Sequence, residues 1–230
     1  MLVVIFIVYL VFALKSLFKP ILHLHQTVVP SNWLQTGDLV VHYHKGYTSF
    51  NPINYLHTLL VHPQVSHVAV LWRNPQTNQL CVLDFGAPGN SLAVAWADGF
   101  DGPLGDVNVC TIEHHRQQYD GCMYILPLAR RQNISIPRST VVSFILRIEY
   151  AFRNPESVGT MEKVISYIHW KRTCFARKKK LVCTEFVAMF LDLLQLDPEL
   201  SQCIDVHEIL KLKKRTGERF FGSTVFRISA

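Results

Sequence analysis

Cys183 opens the stretch "CTEFVAMFLDLL" (183–194), just after three lysines at 178–180. A thiol at the start of a helix lies near unpaired backbone amides and the positive end of the helix dipole. Both favour the thiolate. At about 100° per residue, Val187, Phe190 and Leu194 share the face of Cys183, and Glu185 and Asp192 fall opposite. The thiol is therefore expected to turn toward the core. Two readings fit that position. One is an inert packing residue; the other is a nucleophile whose oxyanion the same first-turn amides would hold. Lys178, Lys179 and Lys180 either add positive potential or form a solvated loop.

A nucleophilic thiol needs a base, and the base needs an orienting partner. Of the eleven histidines, His67 is conspicuous because it starts the apolar, β-branched run "SHVAVLW" (66–72). Asp84 lies between Leu83 and Phe85 in "LCVLDFG" (80–86). The turn-forming "RNPQTNQ" (73–79) joins the two runs, so they are predicted to pair as a hairpin with His67 nearly opposite Asp84. A carboxylate beside the ring fixes its tautomer and favours the imidazolium. The alternative is a satisfied core histidine, with Asp84 capping the Gly-Ala-Pro-Gly loop. His23-Leu24-His25 and His42-Tyr43-His44 each place two rings on one strand face, as some metal sites do. No third ligand at a defined spacing follows, so neither a metal nor another cofactor is expected. His114 and His115 fall at a predicted strand end and read as exposed.

Strands are predicted over 37–44, 66–72, 80–86, 107–114, 122–128 and 223–229 from alternation and short β-branched runs. Helical spacing marks 139–152, with Ser139 as its N-cap, then 157–170, 182–196 and a short 205–214. Strands followed by helices imply the α+β class.

Hydrophobic residues make up 49% of the 230-residue chain and charged residues 17%, which excludes a disordered chain. The net charge of +6 comes without an aromatic-basic recognition motif. That suits an anionic membrane surface and not a nucleic-acid partner. The basic residues at 171–180 and 211–219 read as solvated faces or headgroup contacts. Six cysteines without a CxxC pair read as free thiols in a reducing compartment.

Residues 1–19 form an apolar stretch, "MLVVIFIVYLVFALKSLFK", that is short for a span and lacks a basic start or a good cleavage site. The expectation is an uncleaved anchor over 1–19, a linker over 20–34 bracketed by Pro20 and Pro30, and one domain over 35–230. Lys15 and Lys19 follow the apolar run, so the positive-inside rule places a single-pass protein with its main domain in the cytosol.

Four motifs in order, "TGDLVV", "SHVAVL", "VLDFG" and "LVCTEFVAMFLDLL", resemble the circularly permuted papain-like proteins of the NlpC-type superfamily. The similarity is closest to the YiiX-like group and its poxvirus relatives, and more distant to lecithin retinol acyltransferase. It covers roughly 35–196. The resemblance implies an antiparallel sheet packed on helices, with Cys183 as nucleophile, His67 as base, Asp84 as orienter, and Gly37 and Asp38 as structural residues. The orienting position is often Glu or His in relatives, so Asp84 departs from the common pattern. A membrane-anchored thiol hydrolase or acyltransferase would follow, acting on an amide, ester or thioester of an acylated lipid or a protein or peptide. The alternative is a catalytically silent papain-like module for binding or assembly at a membrane.

Overall fold

A computed structural model describes residues 22–43, 65–85, 107–118, 122–129, 134–152, 156–157, 180–181, 183–196, 209–210 and 216–228. The architecture is α+β. Its main strands are β1 (His23–Val29), β2 (Leu39–Tyr43), β3 (Val65–Arg73), β4 (Leu80–Phe85), β5 (Val107–Thr111), β6 (Cys122–Leu126) and β9 (Thr224–Ile228). They form one seven-stranded sheet in the order β1-β9-β6-β2-β3-β4-β5. A small second sheet pairs β7 (Glu156–Ser157) with β8 (Lys180–Leu181). The helices are α1 (Ile112–Gln118), α2 (Arg138–Phe152) and α3 (Cys183–Leu193).

Both faces of the central strands are buried, which is why β2, β3 and β4 read as nearly continuous apolar runs. Leu39, Val41, Val68, Val70, Trp72 and Leu83 face the larger cluster, where α3 lies. Val40, Ala69, Leu71 and Val82 face a smaller cluster on the other side, beside Ile112 at the start of α1. α2 presents Val141, Phe144, Ile145 and Ile148, a stripe at helical spacing, to the larger cluster. Phe144 packs on Phe186 and Phe190 of α3, with ring centroids at 5.6 and 5.5 Å. Phe186 in turn stacks on Phe85 at 5.8 Å, which ties α3 to the end of β4. Seven of the eleven residues of α3 are buried; Asp192 is exposed, as the helical-face reading predicted, and Glu185 on the same side is half-buried.

The "TGDLVV" stretch does structural work. Gly37 has φ +94°, a left-handed conformation, and a Cβ there would come within 2.9 Å of Leu128 Cδ1 and 3.2 Å of Leu194 Cδ1. Asp38 is fully buried. The Leu128 N–H donates to its Oδ1 at 2.9 Å, and the Gln35 N–H donates to its Oδ2 at 3.0 Å. The start of β2 is thereby tied to the segment after β6.

Several expectations are corrected. The sheet is mixed, because β1 pairs in parallel with β9. The segment 20–34, read as a linker, contains β1 and a 3₁₀ turn over Ser31–Trp33. The strand expected over 107–114 ends at Thr111, whose Oγ1 accepts from the His114 N–H at 3.2 Å and turns the chain into α1. Ser139 is not an N-cap: α2 starts one residue earlier, at Arg138, and the Pro137 carbonyl accepts from the Thr140 and Val141 N–H groups. The helix expected over 157–170 lies outside the described residues apart from Ser157, and that over 205–214 apart from Ile209 and Leu210. Among the described residues no helix is long and apolar enough to cross a membrane, and the apolar stretch 1–19 lies outside them.

Candidate active site

The β3–β4 hairpin forms where the turn signals predicted. The Asn74 N–H donates to the Gln79 carbonyl at 2.9 Å, and Asn78 takes a left-handed conformation at φ +56°. Arg73 clamps the turn from outside by donating to the carbonyls of Ser31, Leu34 and Asn78. The register pairs Val70 with Leu83 and Arg73 with Leu80. Continued, it sets Asp84 opposite Ala69, so His67 and Asp84, expected nearly opposite each other, are diagonal neighbours on one face. A diagonal pair is within reach of long side chains. His67 Nε2–H donates to Asp84 Oδ1 at 2.5 Å.

Cys183 is the first residue of α3 and is buried. It lies close enough to His67 for its charge and side-chain hydrogen bonding to raise the pKa of that ring. Asp84 occupies Nε2 of that ring. Three segments far apart in sequence thus meet near the start of β3 and the end of β4, in the line Cys183–His67–Asp84.

The His67 ring is 14% exposed and the Asp84 side chain 1%. Burial works against charge on the ring, but the charges and hydrogen bonds of Asp84 and Cys183 outweigh it and hold the His67 pKa up at about 10. Burial alone would raise the Asp84 carboxyl; the charge and hydrogen bond of His67 hold it well below the usual carboxylate range. The pair is therefore an imidazolium and a carboxylate at neutral pH. A cation against a thiol favours the thiolate. Cys81 and Cys110 are in the opposite situation. Burial pushes their thiols up, to about 11 beside Glu113 and about 12 beside Asp84. The four described cysteines, Cys81, Cys110, Cys122 and Cys183, are free thiols.

Two histidines join this site that the sequence reading placed elsewhere. His42 lies directly opposite His67 on β2, fully buried, with ring centroids 5.1 Å apart. Read from sequence it belonged to a possible metal pair with His44, which lies outside the described residues. His115 was expected to be exposed at a strand end. It is buried on α1, and its Nε2 lies 2.8 Å from Nε2 of His42. The signal was Thr111 ahead of an acidic first turn at Glu113, which marks a helix start but does not fix the direction of His115. His23 and His25 on β1 are exposed, away from this cluster. A separate cavity of about 270 Å³, lined by Ser31, Ile112, Arg116 and Met123 among others, includes none of these site residues.

No known protein-family model matches the chain, and no curated protein does.

Proposed function

We propose that this protein is a membrane-anchored thiol hydrolase or acyltransferase of the circularly permuted papain-like kind. The observation that carries the reading is the Cys183–His67–Asp84 line, with a thiol at a helix start beside a charged imidazole. The order of the motifs along the chain supports the permuted papain-like arrangement. The Gly37-Asp38 turn comes first, then the His67 strand, the Asp84 strand and the Cys183 helix.

The chemistry is acyl transfer. The Cys183 thiolate attacks an amide, ester or thioester carbonyl, a C–S bond forms, and the carbonyl electron pair moves to oxygen. First-turn amides of α3 hold that oxyanion. As the intermediate collapses, the His67 imidazolium gives its proton to the leaving group. Water or a second acceptor then attacks the acyl-enzyme and passes a proton to His67, and the C–S bond breaks to restore the thiolate. Asp84 stays ionised throughout and keeps the ring oriented. The apolar stretch 1–19 makes an acylated lipid or a lipid-modified protein tail at a membrane the fitting substrate, with the domain on the cytosolic side.

The test is alkylation of the full chain with iodoacetamide at pH 6, read cysteine by cysteine by mass spectrometry, beside His67→Ala. The expected result is fast modification of Cys183 alone, lost in the variant. If Cys183 reacts no faster than the other cysteines, the nucleophile assignment fails and a silent binding module at a membrane takes its place.

A further inference from the structure

The catalytic line leaves unexplained two buried imidazoles directly behind it. His42 stands opposite His67 with its ring tilted 34° against it, and His115 holds His42 from α1. His115 Nδ1 in turn lies 3.7 Å from Cys110 Sγ on β5. These side chains connect β2, α1 and β5 on the face that carries His67 and Asp84.

The bond between the two Nε2 atoms constrains its own protonation. One ring must donate and the other accept, so both cannot carry a proton on Nε2. A doubly charged pair would break the bond. A singly charged one would set a cation in apolar surroundings 5.1 Å, centroid to centroid, from the His67 imidazolium. Burial opposes charge on both rings, and the charge of His67 adds to that. The titratable groups around the pair are His67 on β3, Asp84 on β4, Cys110 on β5 and His114 on α1. Among the described residues the Asp84 charge favours protonating both rings, and a hydrogen bond with the His67 backbone favours it at His42; burial and the His67 charge outweigh these. The pair is thus neutral at pH 7, and the Asp84 charge is left to His67.

We propose, resting on the reading of Cys183, His67 and Asp84 above, that His42 is a positioning residue for the base, held in place by His115. Its neutral ring fills the space beside His67, so that ring cannot swing off the line between sulfur and carboxylate. It also keeps water from the buried Asp84 contact. His115 sets the rotamer of His42 by the Nε2–Nε2 bond. Both act through His67.

The experiment compares full-length wild type with His42→Ala, His42→Gln and His115→Ala, each checked for a cooperative thermal melt. Two readouts are taken. The first is the iodoacetamide rate at Cys183 at pH 6. The second is the low-field proton resonance of the His67 Nε2–H bonded to Asp84, followed in the free protein. His42→Ala is expected to slow Cys183 by about 10- to 100-fold, the scale on which loss of positioning acts, and to broaden the low-field proton by exchange with water. His42→Gln keeps a side-chain donor and acceptor for His115, and is expected to keep the sharp proton and a rate within about threefold of wild type. His115→Ala is expected to fall between them. A folded His42→Ala with wild-type rate and a sharp proton overturns the proposal; so does a His42→Gln as impaired as His42→Ala. If His42→Ala does not fold, His115→Ala decides by the same two readouts. The proton resonance is read without thiol chemistry. An unreactive Cys183 in wild type would therefore sink the hydrolase reading, while the resonance alone still decided whether His42 positions His67.

Discussion

Replacing Asp84 by Asn removes one charge and almost no volume beside His67, where the carboxylate is buried. The amide oxygen can still accept from His67 Nε2, so geometry is retained while the carboxylate's attraction is lost. In the wild type the ring is lifted from an ordinary 6.5 to about 10. At about 1.4 kcal/mol per pH unit, the net preference for the imidazolium, with the opposing burial already included, is on the order of 5 kcal/mol. Asp84 supplies the largest favourable share, and burial then pulls the ring toward its neutral form. Without a cation beside it the Cys183 thiolate loses its partner. An ordinary thiol ionises near pH 8.5, so only about 0.3% is thiolate at pH 6 against half at pH 8.5. The assay is the ratio of Cys183 alkylation rates at pH 8.5 and pH 6, taken within each protein so that accessibility and intrinsic nucleophilicity cancel. Wild type is expected to give a ratio near one. Asp84→Asn is expected to move toward about 150, the ratio for an unassisted thiol. A folded variant with a flat profile would refute the reasoning, as would a wild type that already rises a hundredfold over this range.

Two further predictions concern stability. His42 and His115 have lowered pKa values, so between their folded values and 6.5 the unfolded chain binds protons that the folded chain does not. Their contribution is lost as pH falls below 6.5, by up to about 1.4 kcal/mol per pH unit for each ring. His67 has the opposite sign: its contribution is full below 6.5 and is lost as pH rises toward about 10. Urea midpoints should therefore fall as pH drops below 6.5, with a shallower acid limb in His42→Gln, and stay level from 6.5 to 8.5, where the proton His67 keeps in the folded chain is offset by the one the Cys183 thiolate has given up; a midpoint that keeps rising from pH 6.5 down to pH 5 contradicts this. Gly37→Ala places a Cβ on a left-handed backbone and 2.9 Å from Leu128 Cδ1. It should cost about 1 to 3 kcal/mol of unfolding free energy in the same titration. An unchanged midpoint would show that neither the backbone nor Leu128 is constrained there.

Local chemistry was enough to place several of these elements. The "RNPQTNQ" turn set the β3–β4 hairpin, because Asn residues there form the side-chain and left-handed turns that hairpins use. Helical spacing from 183 to 194 put Cys183 on the buried side, since 3.6 residues per turn assigns faces without reference to any partner. The parity of β3 and β4 set His67 and Asp84 on one face of a single hairpin. What the sequence could not reach is which distant elements lie side by side. β2 sits between β3 and β6, and nothing local to His42 states that its partner across the ladder is His67. His115 turns inward only because Thr111 ends β5 and starts α1, and α1 then covers that particular face. β1 became a sheet strand, despite exposing Leu24 and Val28, because the C-terminal strand β9 offers it a parallel ladder. A residue's period determines the face it occupies. Which groups meet on that face depends on strand order, and strand order is settled only when the whole sheet closes over its two cores.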